Sequence, residues 1–180
     1  MSIFLALRAP EALQAALRAW APPEGLGLRP IDPAQLHLTL AFLGELPADR
    51  LGAVASAAAP AAAGAAPFHL RPEGLGAFPS WAQARVLWWG LAASAPLQAL
   101  ADALRARLRE AGLPVDPKPF RAHLTLGRFR SPRRLPELVP PAPAPWPVTA
   151  LALLESRPGP AGVQHHLRGE WPLAGGEARP

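Results

Sequence analysis

The stretch Leu36-His37-Leu38-Thr39-Leu40 returns in the second half of the chain as His123-Leu124-Thr125-Leu126. Polar and apolar residues alternate in both copies. A β-strand has a side-chain period of two, so His and Thr of one copy share a face and the leucines take the other. One such tetrapeptide would read as an ordinary core or edge histidine. Its repetition in a chain of 180 residues, nearly half the length apart, points to an internal duplication with one His-x-Thr unit in each half.

The flanking sequence supplies the rest of the fold. The first motif strand is expected over 35–43, ended by Gly44, and the second over 122–130. Residues 2–8 form a short apolar strand. Pro10 opens a helix with Leu13, Leu17 and Trp20 as its buried stripe, and Pro22-Pro23-Glu24-Gly25 breaks it. An extended edge piece follows at 26–29. Pro47 opens a second helix with Leu51, Val54 and Ala58 on one face, which Pro60 ends or kinks. Strands are expected at 68–75 and 85–91, joined through Ser80-Trp81-Ala82-Gln83. The helix at 96–111 has Ser94 as its cap, Leu97, Leu100, Leu104 and Leu108 as its core stripe, and Gly112 as its stop. Its Arg105, Arg107 and Arg109 read as a solvated face. The Pro-rich stretch 131–147 is expected to be an extended, poorly packed loop. Two strands at 148–155 and 163–171, joined by Pro158-Gly159-Pro160, end the fold. The tail 176–180 is expected to be disordered.

Hairpins outnumber crossovers in this order, so the fold class is α+β with antiparallel pairing. The expectation is one domain over 1–180, built of two lobes related by a pseudo-twofold. Two antiparallel sheets would flank a central groove, with the helices outside.

Hydrophobic residues make up 50% of the chain, enough for a sizeable core, and there is no cysteine to form a disulfide or a thiolate metal site. The N-terminal apolar run has no preceding basic residues and is too short for a signal peptide. No uncharged apolar stretch reaches the length of a membrane span. A monomeric cytoplasmic protein with no membrane partner is expected. The net charge is +5 and the sequence pI about 11.3. Lys118 is the only lysine, so nearly all of the positive charge is arginine, whose planar fork suits phosphate. Such a balance favours a phosphate-bearing or nucleic-acid partner, although compositional bias toward Ala, Pro, Gly and Arg would also produce it.

Two histidines across a groove suit phosphodiester cleavage. A neutral imidazole removes a proton from the attacking oxygen, and a protonated one delivers a proton to the leaving oxygen. Threonine hydroxyls two positions on can donate to the non-bridging phosphate oxygens, where charge accumulates. That scheme nominates His37 and His123 as catalytic and Thr39 and Thr125 as phosphate-binding, and requires no cofactor. A metal site is disfavoured: the other histidines, His69, His165 and His166, make no helical i, i+4 pair, and there is no cysteine. No Gly-x-Ser-x-Gly elbow marks a serine hydrolase.

The sequence Leu36-His37-Leu38-Thr39-Leu40-Ala41-Phe42-Leu43-Gly44-Glu45 and the sequence Phe120-Arg121-Ala122-His123-Leu124-Thr125-Leu126-Gly127-Arg128 together resemble the 2H phosphoesterases. Within them the chain is most similar to the RNA 2′,3′-cyclic phosphodiesterases, also called 2′-5′ RNA ligases. Gly76-Ala77-Phe78-Pro79, Arg85-Val86-Leu87-Trp88 and 151–156 also look familial. Two positions depart from the pattern: Ala122 stands where that family commonly has Pro, and His165 stands about where it often has Tyr. The resemblance implies a bilobal α+β fold, no cofactor, and hydrolysis of an RNA 2′,3′-cyclic phosphate end to a 2′-phosphate. It further implies His37 as general acid, His123 as general base, and Phe42 stacked on the nucleobase. Arg128, and less directly Arg130, are candidate substrate contacts. Strict alternation puts Phe42 and Arg128, each five residues after its histidine, on the wrong face, so a bulge or a strand end is required. Trp88 and Trp89 are expected in the core. The competing readings are an RNA-binding module whose histidines only contact phosphate, and a related phosphodiesterase for small cyclic nucleotides.

Overall fold

The computed structural model describes residues 2–159 and 162–174. The expected tail at 176–180, and the Pro160 end of the last turn, lie outside the described residues. The strands are β1 Ser2–Arg8, β2 Leu28–Pro30, β3 His37–Gly44, β4 Phe68–Leu70, β5 Pro72–Phe78, β6 Ala84–Leu91, β7 Leu124–Arg133, β8 Trp146–Val148, β9 Ala150–Gly159 and β10 Gly162–Pro172. The helices are α1 Glu11–Ala19, α2 Leu51–Ala63 and α3 Ala95–Glu110. One four-stranded sheet runs β10-β9-β1-β3 and the other β2-β7-β6-β5, while β4 and β8 form a separate pair. Every pairing is antiparallel. The expected α+β class with two antiparallel sheets is what forms.

Alternation in the strands decides which face meets the helices. Ile3, Leu5 and Leu7 of β1, Leu38, Leu40 and Leu43 of β3, and Leu124 and Leu126 of β7 are buried in one core with Leu13 and Leu17 of α1 and the leucine stripe of α3. Burying one such side chain is worth about 1.5–3 kcal/mol. The intervening residues of β1 and β9, Phe4, Ala6, Ala152 and Leu154, form a separate small cluster on the opposite face. That opposite face carries the His-x-Thr motif.

The helix 96–111 forms as expected, with Ser94 Oγ accepting from Leu97 N at 3.3 Å and Gly112 at φ +66° closing it. Four expectations are corrected. Pro60 does not end α2, which runs to Ala63: the flanking Ala57, Ala58, Ala61 and Ala62 are buried, and Gly64 N still reaches the Pro60 carbonyl at 3.1 Å. The strand 68–75 divides at Arg71 because its two parts pair with different strands, β4 with β8 and β5 with β6. The stretch 131–147 is not poorly packed. β7 extends to Arg133, Leu135 is buried, and Trp146 is only 1% exposed in β8 opposite Leu70.

The fourth correction is Arg105, which is 8% exposed rather than solvated. Its guanidinium donates to the carbonyls of Asp116 at 2.8 Å and Lys118 at 2.6 Å, and reaches that of Leu40 at 3.5 Å. Asp116 N in turn donates to the Phe42 carbonyl at 3.0 Å. One buried cation therefore ties the approach to the second motif onto the strand of the first. The remaining arginines of α3, Arg107 and Arg109, are exposed as expected.

Arg105→Met keeps the apolar stem but leaves these carbonyls without their charged donor. It is expected to lower stability by about 2–3 kcal/mol in chemical denaturation and to open 113–120 to proteolysis in the native state. Unchanged stability would show that the carbonyls find other donors.

Candidate active site

The two motif strands carry the same irregularity at the same place. On β3, Thr39 is opposite Ala6 and Ala41 is opposite Leu5, so Leu40 is one residue too many. On β7, Thr125 is opposite Trp88 and Gly127 opposite Leu87, so Leu126 is the extra residue. A one-residue bulge shifts everything beyond it by half a period. Phe42, 41% exposed and paired with Phe4, is thereby returned to the His37 face, while Leu40 and Ala41 are both buried. Arg128 is likewise returned toward the face of Thr125 and is exposed. The requirement left by strict alternation is met, in both halves, by the bulge.

Each histidine is anchored by its own chain. His37 Nδ1 lies 2.7 Å from the Gln35 carbonyl, and His123 Nδ1 lies 2.6 Å from the Arg121 carbonyl. A carbonyl only accepts, so Nδ1 carries the proton in both rings and donates it. In the neutral state each Nε2 is then a free base. His37 is the first residue of β3 and His123 immediately precedes β7. The second motif strand thus begins two residues later than expected, and the ring is held by the irregular segment before it.

The electrostatics follow from burial. Desolvation pushes the His37 imidazole down to about 4, against the Gln35 hydrogen bond, with the charges of His165 and His123 adding to the shift. His123 is lowered too, by burial first, opposed by its bond to the Arg121 carbonyl, with Arg121 and Arg128 as further positive neighbours. These couplings place His123 within electrostatic reach of His37, and Arg128 within reach of His123.

The two histidines have different walls. His37 packs against Phe4 at 5.0 Å and edge-on against His165 at 4.9 Å between ring centroids. His165 is held by Ser156 Oγ, 3.0 Å from its Nδ1, and its backbone N–H donates to Gln35 Oε1 at 3.1 Å. His123 packs edge-on against Phe78 at 5.0 Å and near Trp88 at 6.1 Å, with the Arg121 guanidinium over the Phe78 ring. Trp88 is therefore not the core residue expected from the sequence, whereas Trp89 is, at 1% exposed. Adjacent residues of a strand face opposite ways, and here Trp89 takes the core side and Trp88 the side of His123. Trp88 lies across the backbone of Gly76, where a Cβ would come within 2.1 Å of the indole. Gln35, Phe4 and His165 also join the site without having been nominated as site residues. Arg130 is exposed further along β7. Among the described residues no three His, Cys, Asp or Glu side chains gather as a metal site would need, and no helix is long and apolar enough to cross a membrane.

A family model described as the 2′-5′ RNA ligase superfamily matches residues 9–160. The chain belongs to the 2′-5′ RNA ligase superfamily. The resemblance carried by the two motifs is thus borne out. A superfamily relative from Thermus thermophilus, named RNA 2′,3′-cyclic phosphodiesterase, is 35% identical over 99% of this chain and 93% of its own. A crystal structure from the same organism matches with a TM-score of 0.78 at 33% identity, over 98% of this chain and all of that one. The structure of Escherichia coli LigT complexed with 3′-AMP matches with a TM-score of 0.80 at 28% identity, over 96% of this chain and 97% of that one.

The depressed His37 value has a consequence for stability. The unfolded chain takes up a proton there near 6.5, which the folded superfamily member refuses until about 4. Stability is therefore full above the ordinary imidazole value and is lost as pH falls from 6.5 toward 4. His37→Gln is expected to flatten that acid slope, and NMR of the unsubstituted protein to show His37 as the neutral Nδ1–H tautomer down to about pH 5. A His37 ring already charged at neutral pH would contradict the burial argument.

Proposed function

We propose that the protein hydrolyses RNA 2′,3′-cyclic phosphate ends to 2′-phosphate ends, working as one domain of two lobes with a metal-independent acid–base pair. The observation that carries this is the doubled anchoring: two imidazoles, each bound through Nδ1 to a carbonyl two residues earlier and free at Nε2, each followed two residues on by a threonine. A binding module would need only positive charge, which arginine supplies without a fixed tautomer. The name of the Thermus thermophilus relative supports the same substrate class.

In this reading His123 takes the proton of the attacking water and His37 delivers one to O3′ as the P–O3′ bond breaks, with the two on opposite sides of phosphorus. Burial holds free His37 neutral. The acid form is made by the substrate, whose anionic phosphoryl group favours the imidazolium beside it. Thr39 and Thr125 donate to the non-bridging oxygens. Phe42 stacks on the terminal base and Arg128 pairs with phosphate. Replacing water by a 5′-hydroxyl in the same geometry gives a 2′-5′ linkage, so ligation and its reversal use the same groups. Such a reaction belongs with cytoplasmic RNA processing by a monomer.

Hydrolysis of nucleoside 2′,3′-cyclic phosphates is expected to survive excess chelator, and Thr39→Ala and Thr125→Ala each to slow it by about 10²–10³ with the fold intact by circular dichroism. Activity lost on chelation and restored by a divalent ion would sink the metal-independent scheme.

A nitrophenyl phosphodiester needs no proton on its leaving group. It is expected to rescue His37→Ala far more than His123→Ala in kcat, and the reverse ranking would exchange the acid and the base.

A further inference from the structure

A cavity of about 440 Å³ opens beside His123 on the β5–β6 side, away from the wall formed by Phe4 and His165. Phe78, Trp88, Leu75, Glu73 and Arg121 line it together with His123. Its volume is in the range of ligand-sized clefts. The Phe78 and Trp88 rings lie 5.2 Å apart at 37°, forming an apolar aromatic surface, and the Arg121 side chain is an exposed cation above Phe78. The Trp88 ring is fixed, because Gly76 gives it the room to lie flat across β5. An aromatic platform and a neighbouring guanidinium are the elements that hold a nucleoside by stacking and phosphate contact.

The duplication makes this cavity informative, because the residue beside the motif threonine differs between the halves. The residue paired with Thr125 is Trp88, whereas the residue paired with Thr39 is Ala6. The reaction also assigns it a side. With Phe42 and Arg128 allotted to the nucleotide that bears the cyclic phosphate, the leaving O3′ faces His37 and the attacking oxygen arrives from His123. An in-line displacement puts whatever carries that oxygen into the space beyond His123.

We propose that the Phe78–Trp88–Arg121 cavity is a second nucleoside subsite, which holds the nucleoside whose 5′-hydroxyl attacks the cyclic phosphate. The inference rests on the acid–base reading above. In the step it serves, the 5′-oxygen forms its bond to phosphorus as the P–O3′ bond breaks. Its proton passes to His123 Nε2, and His37 delivers a proton to O3′, leaving a 2′-5′ diester. When the cavity is empty, water takes the same position and the product is the 2′-phosphate. Occupancy of the subsite therefore sets the ratio of transfer to hydrolysis, and in the reverse direction it holds the departing 5′-hydroxyl nucleoside.

The test uses an end-labelled oligoribonucleotide with a 2′,3′-cyclic phosphate as donor and an unlabelled 5′-hydroxyl oligoribonucleotide as acceptor, both products being measured in one reaction. A general loss at His123 lowers both products together and leaves their ratio unchanged. In the unsubstituted protein the ratio of 2′-5′ transfer to hydrolysis is expected to saturate with acceptor. In Trp88→Leu, and separately in Arg121→Gln, the ratio at fixed acceptor is expected to fall at least about ten-fold. Hydrolysis without any transfer, a ratio that rises linearly with acceptor, or a ratio unchanged in both variants overturns the subsite. A raised KM for the donor in hydrolysis, with the ratio unchanged, would place the donor nucleotide in the cavity and also overturn it. Absence of hydrolysis in the unsubstituted protein would instead overturn the function on which the subsite rests.

Discussion

The chemistry of this protein depends on a conflict between two periodicities and on its resolution by one extra residue. A strand that must bury Leu38, Leu40 and Leu43 cannot, by alternation, also present His37 and Phe42 on its other face. The bulge at Leu40 removes the conflict, because two consecutive apolar residues, Leu40 and Ala41, are buried together and the alternation restarts behind them. The same device at Leu126 and Gly127 brings Arg128 into electrostatic reach of His123. A bulge costs local pairing in the ladder, and two sit where the sequence is duplicated. Both are held between a central neighbour, β1 or β6, and the helix-covered core.

Around that constraint the histidines are fixed twice over. A short Nδ1–H bond to the carbonyl two residues back sets the tautomer, and ring packing sets the orientation. Burial then makes the charged form costly, most of all at His37. The free protein is consequently biased toward neutral imidazoles. In the proposed reaction the anionic substrate supplies the field that a buried acid needs, so protonation of His37 and binding of phosphate are one event rather than two. Arg105 links this arrangement to the helices, since its guanidinium holds the loop before the second motif to the strand of the first.

The halves are alike in backbone and different in side chains. Both have the bulge, the anchored histidine and the threonine. Beside His37, however, the wall is Phe4 and His165, the latter tied to Ser156 and Gln35. Beside His123 it is Phe78 and Trp88 over a glycine. The pair of imidazoles thereby acquires two unlike sides, which suits the distinct attacking and leaving groups of the proposed reaction.

The duplicated His-x-Thr pattern, the helix at 96–111 with its cap and leucine stripe, and the α+β class were legible in the sequence. They depend on local period, on capping and on the repetition of a short motif. Even the need for a bulge could be read, since an offset of five contradicts a period of two. What the residue string left undecided was set by partners distant in the chain. Arg105 is buried because carbonyls of another segment surround it, and α2 continues through Pro60 because its alanines are buried on both sides of it. Trp146 is core because β4 pairs with its strand. Trp88 rather than Trp89 faces the site because β6 is registered against Thr125 and Gly76 leaves room for the indole. Periodicity assigns residues to faces, but only the packing of one sheet against helices and of one strand beside another decides which face is core and which is site.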